Sequence, residues 1–437
     1  MESPHDQLKS RIFNRTAVVA VVGIGYVGLP LAVAFAVKGF RVIGIDTSQK
    51  RVDSIQRGES YVEDVSDDQL KALPDLKATT QQSALVEADI VLICVPTPLT
   101  KTKDPDLTYI VQEATEIAKY LHKGQIIVLE STTYPGTTRD VVLPLLQATG
   151  LQLGEDYFLA YSPEMIDPGN EKFGLHNTPK IVSGADDKSR ELAELVYQQV
   201  AGTVIPVSSL ETAEMVKVFS NVFRSVNIAL VNEMAQLCES MKVSIWEVVY
   251  TAAKKPFGYM PFFPGPGIGG HCLPTDPYYL SCKAREHDFH VRFIELAAQV
   301  NENMPYYVVE GVEKALNAKG KALKGSRILV LGMAYKKDTS DSRESPSIKL
   351  VELLYKEWAE VHYHDPFVSE MQFSFGKLQS ECNLPQGLQE SDCVVLAVDH
   401  SDYVRDRKHI ASGSQLIYDA KGIMYGIKSD NIVRLGE

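Results

Sequence analysis

Hydrophobic and polar positions in the first third of the chain alternate between short apolar runs and stretches with apolar residues at helical spacing. Each run ends in Gly, Pro, Ser, Thr or an acidic residue; the runs are TAVVAVVG, FRVIGID, ADIVLICVPTP, GQIIVLEST and DYFLAYSPE. Strands that alternate with helices predict a parallel sheet, and such sheets bind ligands at the carboxyl ends of their strands.

A different pattern begins at about Ser208. From there to Lys255 apolar residues recur at helical spacing with no strand-like run, which predicts one long helix and then a shorter one. The segment PFGYMPFFPGPGIGGHCLPTDPYYL follows, and its many Pro, Gly and aromatic residues predict a loop. A loop held by rigid elements is a favoured place for chemistry. Helical spacing resumes over residues 291–316.

Alternation of strands and helices returns near Gly325. The runs SRILVLGMAYK, VHYHDP, SDCVVLAVDH and QLIYDA read as strands, and SIKLVELLYKEWAE reads as a helix. We therefore predict an α/β fold with two Rossmann-like parallel-sheet domains joined by a central helical domain that contains a long helix. The predicted divisions are residues 1–207, 208–318 and 319–437.

Composition and charge narrow the classes of function. A chain of 437 residues that is 45% hydrophobic and 23% charged is typical of a soluble globular protein with more than one domain. The formal charge of −12 argues against nucleic-acid and membrane partners. No signal-peptide pattern opens the chain, its longest apolar stretches are broken by Gly and Pro, and its six cysteines are scattered singly. These features predict a cytoplasmic protein with reduced thiols and no transmembrane segment.

A glycine motif lies at the first strand–helix turn. Gly23, Gly25 and Gly28 form GxGxxG between an apolar run and an apolar helix, which allows a tight turn and backbone approach to a pyrophosphate. Asp46 ends the next strand, where its carboxylate would accept hydrogen bonds from the adenosine ribose and repel a 2′-phosphate. This predicts NAD as the cofactor. The basic pair Lys50–Arg51 keeps NADP open, and a glycine-rich turn without a ligand is the alternative.

Cys272 is the one cysteine in a loop rich in helix breakers, GPGIGGHCLPTD. Backbone amides exposed by such a loop can favour a thiolate and hold an oxyanion, so the loop predicts a nucleophilic thiol. A zinc site is the alternative, with His271 and Cys272 as two ligands and His362 and His364 as two more. Adjacent ligands are unusual for zinc, and the second pair lies about ninety residues away. We therefore predict no metal.

Several longer strings resemble the UDP-glucose/GDP-mannose dehydrogenase family, from about Thr16 to the C-terminus. They are ESTTYPGTT, SPEMIDPGN, ETAEMVKVFSNVFRSVNIALVNE, KPFGYMPFFPGPGIGGHCLPTDPYYL and GMAYKKDTSDSRESPS. The sequence has GGHC in place of GGSC, and in this it resembles the branch of the family that acts on UDP-N-acetylhexosamines. The resemblance implies NAD-dependent oxidation of a sugar C6 alcohol to a carboxylate for surface polysaccharide precursors, with UDP-N-acetylglucosamine as the expected substrate.

The resemblance also assigns residues by position. It implies that residues 1–207 bind NAD, that 208–318 hold the cysteine loop and form a homodimer or higher oligomer, and that 319–437 bind the UDP-sugar. The catalytic positions are Cys272, Lys217, Asn221, Asp276, Glu164 and Thr132. The cofactor-binding positions are Gly23, Gly25, Tyr26, Val27, Gly28, Asp46, Pro96, Thr97 and Thr132. The substrate-binding positions are Glu164, Lys217, Asn221, Phe263, Gly269, Lys336 and Arg343.

The implied mechanism removes four electrons, so two NAD are reduced per sugar. Cys272 would add to the intermediate aldehyde, and the thioester left by the second hydride transfer would be hydrolysed. The resemblance implies that Lys217 and Asn221 stabilise the developing oxyanion and that Asp276 and Thr132 hold a water. It implies that Glu164 is the base for hydrolysis.

Plainer interpretations and other functions stay open. Lys217 and Asn221 are each compatible with a solvated helix face, and Asp276 with a helix cap. A single-hydride dehydrogenase and a catalytically silent nucleotide-sugar sensor are the rival functions, although neither needs the thiol loop. UDP-glucose, or the N-acetylmannosamine or N-acetylgalactosamine sugar, is the alternative substrate. Met165 stands where many members acting on N-acetylhexosamines have Arg, which puts one contact near the sugar in question.

Overall fold

The computed structural model describes residues 2–100, 103–165, 173–270 and 273–437. They form two compact units. The first comprises the described residues up to Ser220 together with Tyr278–Phe289, and the second comprises those of Asn221–Pro277 and His290–Glu437. Each unit is described by itself.

An eight-stranded sheet forms the centre of the first unit. Its order is β3-β2-β1-β4-β5-β6-β7-β8, and every neighbouring pair is parallel except β6 with β7. The strands are β1 (Val18–Val22), β2 (Arg41–Ile45), β3 (Leu76–Thr79), β4 (Ile90–Ile93), β5 (Gln125–Leu129), β6 (Tyr157–Tyr161), β7 (Lys180–Gly184) and β8 (Val204–Pro206).

Helices connect these strands. Capping residues begin several of them: Ser3 accepts from the N–H of Asp6, and Asp186 accepts from that of Ser189. The helices are α1 (Pro4–Phe13), α2 (Gly28–Val37), α3 (Gln49–Arg57), α4 (Asp67–Lys71), α5 (Thr108–Tyr120), α6 (Leu143–Gln147) and α7 (Asp187–Gln198). A 3₁₀ turn spans Gln82–Glu87, and a π-helical turn spans Thr138–Val142.

Burial on both faces of the sheet explains the continuous apolar runs. Successive side chains of a strand point to opposite faces, so in β1 Val19 and Val21 enter one core while Ala20 and Val22 enter the other. Each such fully buried Val contributes roughly 1.5–3 kcal/mol relative to an exposed one. Strands β3, β7 and β8 are not among the predicted apolar runs. Strands β3 and β8 are short edge strands with exposed positions, and β7 has the sequence KIVSG, with only two large apolar residues.

Four further helices follow. They are α8 (Leu210–Met241), which continues from the first unit into the second, α9 (Ile245–Ala252), α10 (Asp276–Arg285) and α11 (Arg292–Ala318). The predicted long helix and the shorter one after it are confirmed. Among the helices of the described residues, none is long and apolar enough to cross a membrane.

A five-stranded parallel sheet in the order β10-β9-β13-β14-β15 builds the end of the second unit, beside a β11–β12 hairpin. The predicted fold class, two parallel-sheet regions and a central helical region with a long helix, is confirmed. The division at 207 and 318 stays a prediction. The strands are β9 (Arg327–Leu331), β10 (Glu360–His364), β11 (Glu370–Phe373), β12 (Gly376–Gln379), β13 (Cys393–Leu396), β14 (Ile417–Asp419) and β15 (Ile432–Arg434). The helices are α12 (Pro346–Lys356), α13 (Leu384–Glu390) and α14 (Ser401–Gly413).

Candidate active site

The glycine-rich turn after β1 has space for a pyrophosphate. A Cβ on Gly23, whose φ is +90°, would lie 2.7 Å from the carbonyl oxygen of Cys94, and one on Gly28 would lie 1.9 Å from that of Gly23. These two glycines are therefore required by packing. A Cβ on Gly25 would meet no described atom within 4 Å. The open side at Gly25, between Gly23 and the start of α2, fits the approach of a dinucleotide phosphate to the backbone of this turn.

Asp46 lies beside this turn, directly after β2. Its carboxylate is only 8% exposed and accepts hydrogen bonds from the backbone N–H of Ile24 at 3.1 Å and of Ser48 at 2.8 Å. Arg51, half of the basic pair that favours NADP, is 3.1 Å from the same carboxylate. The guanidinium therefore has an acidic partner, and Asp46 links the glycine-rich turn to the loop after β2.

The loops after β4 and β5 meet at the carboxyl edge of the sheet. Thr97 donates its hydroxyl to the carbonyl of Thr132 at 2.8 Å, and Ser131 donates to that of Val95 at 2.7 Å. Two predicted cofactor positions, Thr97 and Thr132, are thereby brought together. Pro96 lies exposed between Val95 and Thr97.

Polar residues form one buried face of α8. Glu214, Lys217, Asn221, Ser225 and Asn232 are each less than 9% exposed, and their spacing places them on the same side of the helix. Lys217 and Asn221 therefore do not lie on a solvated face. The sequence signal for this set is its spacing of three, four, four and seven residues, which returns to the same side of a helix.

Glu214 is a residue of this face that motif reasoning missed. Its carboxylate accepts hydrogen bonds from the N–H of Gly136 at 2.6 Å, the N–H of Thr138 at 2.8 Å and the hydroxyl of Thr138 at 2.7 Å. These donors belong to the segment that begins with Ser131–Thr132. Burial raises the pKa of Glu214 to about 7 despite the three hydrogen bonds.

Asn221 and Asp276 form a buried pair in the second unit. The amide of Asn221 donates to one carboxylate oxygen of Asp276, and the hydroxyl of Thr275 donates to the other at 3.3 Å. Asp276 is the first residue of α10 and is 2% exposed. Two of the predicted catalytic residues are therefore in direct contact.

The loop that leads to Cys272 is fixed at both ends of its glycine-rich part. The N–H of Gly265 donates to Asn232 at 3.0 Å, and Asn232 in turn bonds to Asn301. The N–H of Gly270 donates to the carbonyl of Arg343 at 3.1 Å. Residues 271 and 272 lie outside the described residues, so the predicted thiol has no structural description.

The predicted substrate positions of the second unit lie around this loop. A Cβ on Gly269 would be 2.7 Å from Cβ of Tyr335, so the loop packs directly on the residue before Lys336. Arg343 is exposed and bonds to Asp341 at 2.9 Å. Phe263 packs against Tyr250, with ring centroids 5.1 Å apart.

The predicted positions are thus divided between the units. The first unit holds the glycine-rich turn with Tyr26 and Val27, Asp46, Pro96, Thr97, Thr132, Glu164 and Lys217, and the second holds Asn221, Phe263, Gly269, Asp276, Lys336 and Arg343. Within the described parts of the chain there is no group of three or more His, Cys, Asp or Glu side chains that could hold a metal ion.

Comparison with known proteins gives the same picture along the chain. Models of the UDP-glucose/GDP-mannose dehydrogenase family match residues 17–201 as the NAD binding domain, 211–303 as the central domain and 329–425 as the UDP binding domain. A UDP-N-acetyl-D-glucosamine 6-dehydrogenase of Salmonella typhi is 35% identical, covering 94% of this chain and 97% of that protein. A UDP-N-acetyl-D-mannosamine dehydrogenase of Pyrococcus horikoshii is 36% identical, covering 88% and 90%. The solved structure of a UDP-D-ManNAc dehydrogenase from Pyrococcus horikoshii superposes with a TM-score of 0.88 at 33% identity, covering 96% of this chain and 99% of that one.

Proposed function

The chain belongs to the UDP-glucose/GDP-mannose dehydrogenase family, whose cofactor is NAD, and from that premise we propose that it oxidises the C6 hydroxyl of a UDP-N-acetylhexosamine to a carboxylate. The proposed substrate is UDP-N-acetylglucosamine. The observation that carries this function is the buried polar face of α8, where Lys217 lies one turn from Asn221 and Asn221 bonds to Asp276. Donors for a developing oxyanion beside a carboxylate are the groups that alcohol oxidation needs.

Four electrons leave the sugar in two hydride transfers. Bound NAD is the hydride acceptor in both. The first transfer, with loss of one proton, gives an aldehyde. The Cys272 thiolate adds to the aldehyde carbon, and loss of the second hydride then leaves a thioester. Water then replaces sulfur at that carbon, so that the carboxylate and two protons form and Cys272 leaves as the thiolate. One alcohol and one water yield one carboxylate, two hydrides and three protons.

The side chains of this chain divide the remaining work. We propose that Lys217 and Asn221 stabilise the negative charge that develops on the C6 oxygen, because an ammonium and an amide one turn apart can face the same atom. Asp276, with its two hydrogen bonds from Asn221 and Thr275, would hold a water together with Thr132. Glu164 would be the base for hydrolysis of the thioester.

The choice of sugar rests on the sugars for which the relatives are named and on the free-energy cost of leaving a polar group of the pocket unpaired. Relatives that by name act on UDP-N-acetyl-D-glucosamine and on UDP-N-acetyl-D-mannosamine support an N-acetylated sugar. A pocket built for an acetamido group leaves a polar group unpaired when the sugar has a 2-hydroxyl, at about 1–3 kcal/mol or roughly one to two powers of ten in kcat/KM. Met165, where many such members have Arg, packs against the apolar core of the first unit and brings no charge to the sugar.

UDP-N-acetylmannosamine is the second candidate substrate, because the solved structure with a TM-score of 0.88 is named for that sugar. The test is kcat/KM for UDP-N-acetylglucosamine, UDP-N-acetylmannosamine, UDP-N-acetylgalactosamine and UDP-glucose, followed by NADH formation. We expect UDP-N-acetylglucosamine to be oxidised best and UDP-glucose at least about tenfold less well. A preference for another N-acetylated sugar would overturn the epimer, and a preference for UDP-glucose would overturn the N-acetylated class.

A further inference from the structure

A buried charged network lies at the carboxyl edge of the first sheet. Lys180, the first residue of β7, donates from Nζ to a carboxylate oxygen of Glu130 at 2.6 Å and to the carbonyl of Pro163 at 3.1 Å. Tyr197 of α7 donates its hydroxyl to the other oxygen of Glu130, and its ring centroid lies 5.0 Å from Nζ. The side chains of Lys180 and Glu130 are 2% and 0% exposed.

The network joins two segments that carry proposed catalytic groups. Glu130 follows β5 and directly precedes Ser131–Thr132, while Pro163 follows β6 and directly precedes Glu164. Glu164 is also close enough to act electrostatically on both Lys180 and Glu130. Lys180 therefore contacts the backbone of one segment and a side chain of the other.

Stability does not account for this pair. Removing a Lys and a Glu from water costs several kcal/mol per ion, and apolar residues of similar volume in place of a buried pair are often neutral or stabilising. Burial would lower the pKa of Lys180, but the carboxylates of Glu130 and Glu164 raise it above its usual value, so the ammonium stays charged. A charge that is kept buried beside a site is therefore expected to serve that site.

We infer that Lys180 is a positioning residue for the reaction: its ammonium aligns the segments of Thr132 and Glu164 by bonding to Glu130 of the one and to the Pro163 carbonyl of the other. This inference rests on the proposed function. The titratable groups around Lys180 come from four elements, namely Cys94 after β4, Glu130 after β5, Glu164 after β6 and Tyr197 on α7. Burial raises the pKa of the Cys94 thiol well above its ordinary value, so Cys94 stays neutral beside the Lys180 ammonium.

The test separates the charge of Lys180 from the structural pairing of Glu130. Lys180→Met removes the charge but leaves Glu130 buried and unpaired, which threatens folding. The double variant Glu130→Gln/Lys180→Met replaces the ion pair by a neutral pair of similar volume. Tyr197→Phe is the matched control, since it removes one hydrogen bond from Glu130 and leaves the charge of Lys180 in place. The readout is kcat and the KM values for UDP-sugar and NAD, together with the thermal midpoint of each variant.

We expect kcat of the double variant to fall by at least about tenfold with smaller changes in KM, because Thr132 and Glu164 are no longer held in register. The Tyr197→Phe protein should lose thermal stability without a comparable loss of kcat. A folded double variant with the kcat of the unaltered protein overturns the inference alone, and so does an equal loss of kcat in Tyr197→Phe. Absence of NADH formation by the unaltered protein with every UDP-sugar overturns the proposed function, and the inference with it.

Discussion

The carboxylate of Glu214 accepts two hydrogen bonds from a single residue, from the backbone N–H and the side-chain hydroxyl of Thr138. Helix α8, which carries Lys217, is thereby attached to the segment that carries Thr132. The attachment places an acidic side chain with 0% exposure at the beginning of the π-helical turn Thr138–Val142, where it accepts from the N–H groups of Gly136 and Thr138.

The first prediction concerns stability and pH at Glu214. Its pKa of about 7 in the folded protein is above the ordinary 4.5, so the folded state binds this proton more tightly than the unfolded state does. The resulting stabilisation is fully present below pH 4.5 and is lost as pH rises through 7, with a total on the order of 3 kcal/mol. Glu214→Gln cannot titrate. The variant should therefore be more destabilised, relative to the unaltered protein, at pH 5 than at pH 8.

Urea unfolding of both proteins at the two pH values measures this difference in free energy. Glu211→Gln is the control, because Glu211 lies one turn earlier on α8 and is partly exposed beside Arg139. A destabilisation by Glu214→Gln that is equal at both pH values contradicts the prediction.

The second prediction concerns the thiol. Cys272→Ala should abolish formation of the carboxylate, because no thioester can form, while the unaltered protein should yield two NADH per carboxylate. Product analysis by mass spectrometry with parallel NADH measurement gives this ratio. Cys382→Ala, at an exposed cysteine of the second unit, is the control and should keep full activity. Normal turnover by Cys272→Ala would exclude covalent catalysis.

The third prediction concerns the choice between NAD and NADP. Asp46 pairs with Arg51, so Asp46→Ala would remove the carboxylate that repels a 2′-phosphate and release a guanidinium that can bind one. We expect kcat/KM for NAD to fall and the ratio of NAD to NADP usage to narrow by at least about tenfold. The double variant Asp46→Ala/Arg51→Ala should lose the gain with NADP. An unchanged ratio in the single variant would show that Asp46 does not select the cofactor.

The fourth prediction concerns assembly. Six large apolar side chains of α8 are exposed at spacings of four or seven residues, which places them in one stripe: Met215, Phe219, Phe223, Leu230, Leu237 and Met241. Such a stripe is typical of a protein contact, and we propose that a second copy of the chain covers it. Val218, Val222 and Val231 lie instead on the buried face.

A charge in this stripe should therefore dissociate the oligomer. Phe219→Glu with Leu230→Glu should give a monomer by light scattering, whereas we expect the unaltered protein to give a dimer or larger species. Phe13→Glu, at an equally exposed aromatic of α1, is the matched control and should leave the mass unchanged. If the unaltered protein is a monomer at micromolar concentration, the proposal that a second copy covers this stripe is wrong.

Local patterns in the sequence determined much of this protein. Periods of two and 3.6 residues are properties of neighbouring side chains, so the alternation of strands and helices, the long helix and the shared face of Lys217 and Asn221 follow from spacing. The glycine motif is local in the same sense, because Gly23, Gly25 and Gly28 belong to one turn of the backbone.

Only the tertiary structure decided which distant groups meet. Glu130 and Lys180 are fifty residues apart in sequence, and Glu214 reaches Thr138 across 76 residues. The local sequence identifies the partner of neither acid: Glu130 directly follows the apolar run of β5, and Glu214 stands between Ala213 and Met215. Their partners are set by the order of β4, β5, β6 and β7 in the sheet and by the packing of α8, and burial then makes each hydrogen bond obligatory because an unpaired charge in the interior is too costly.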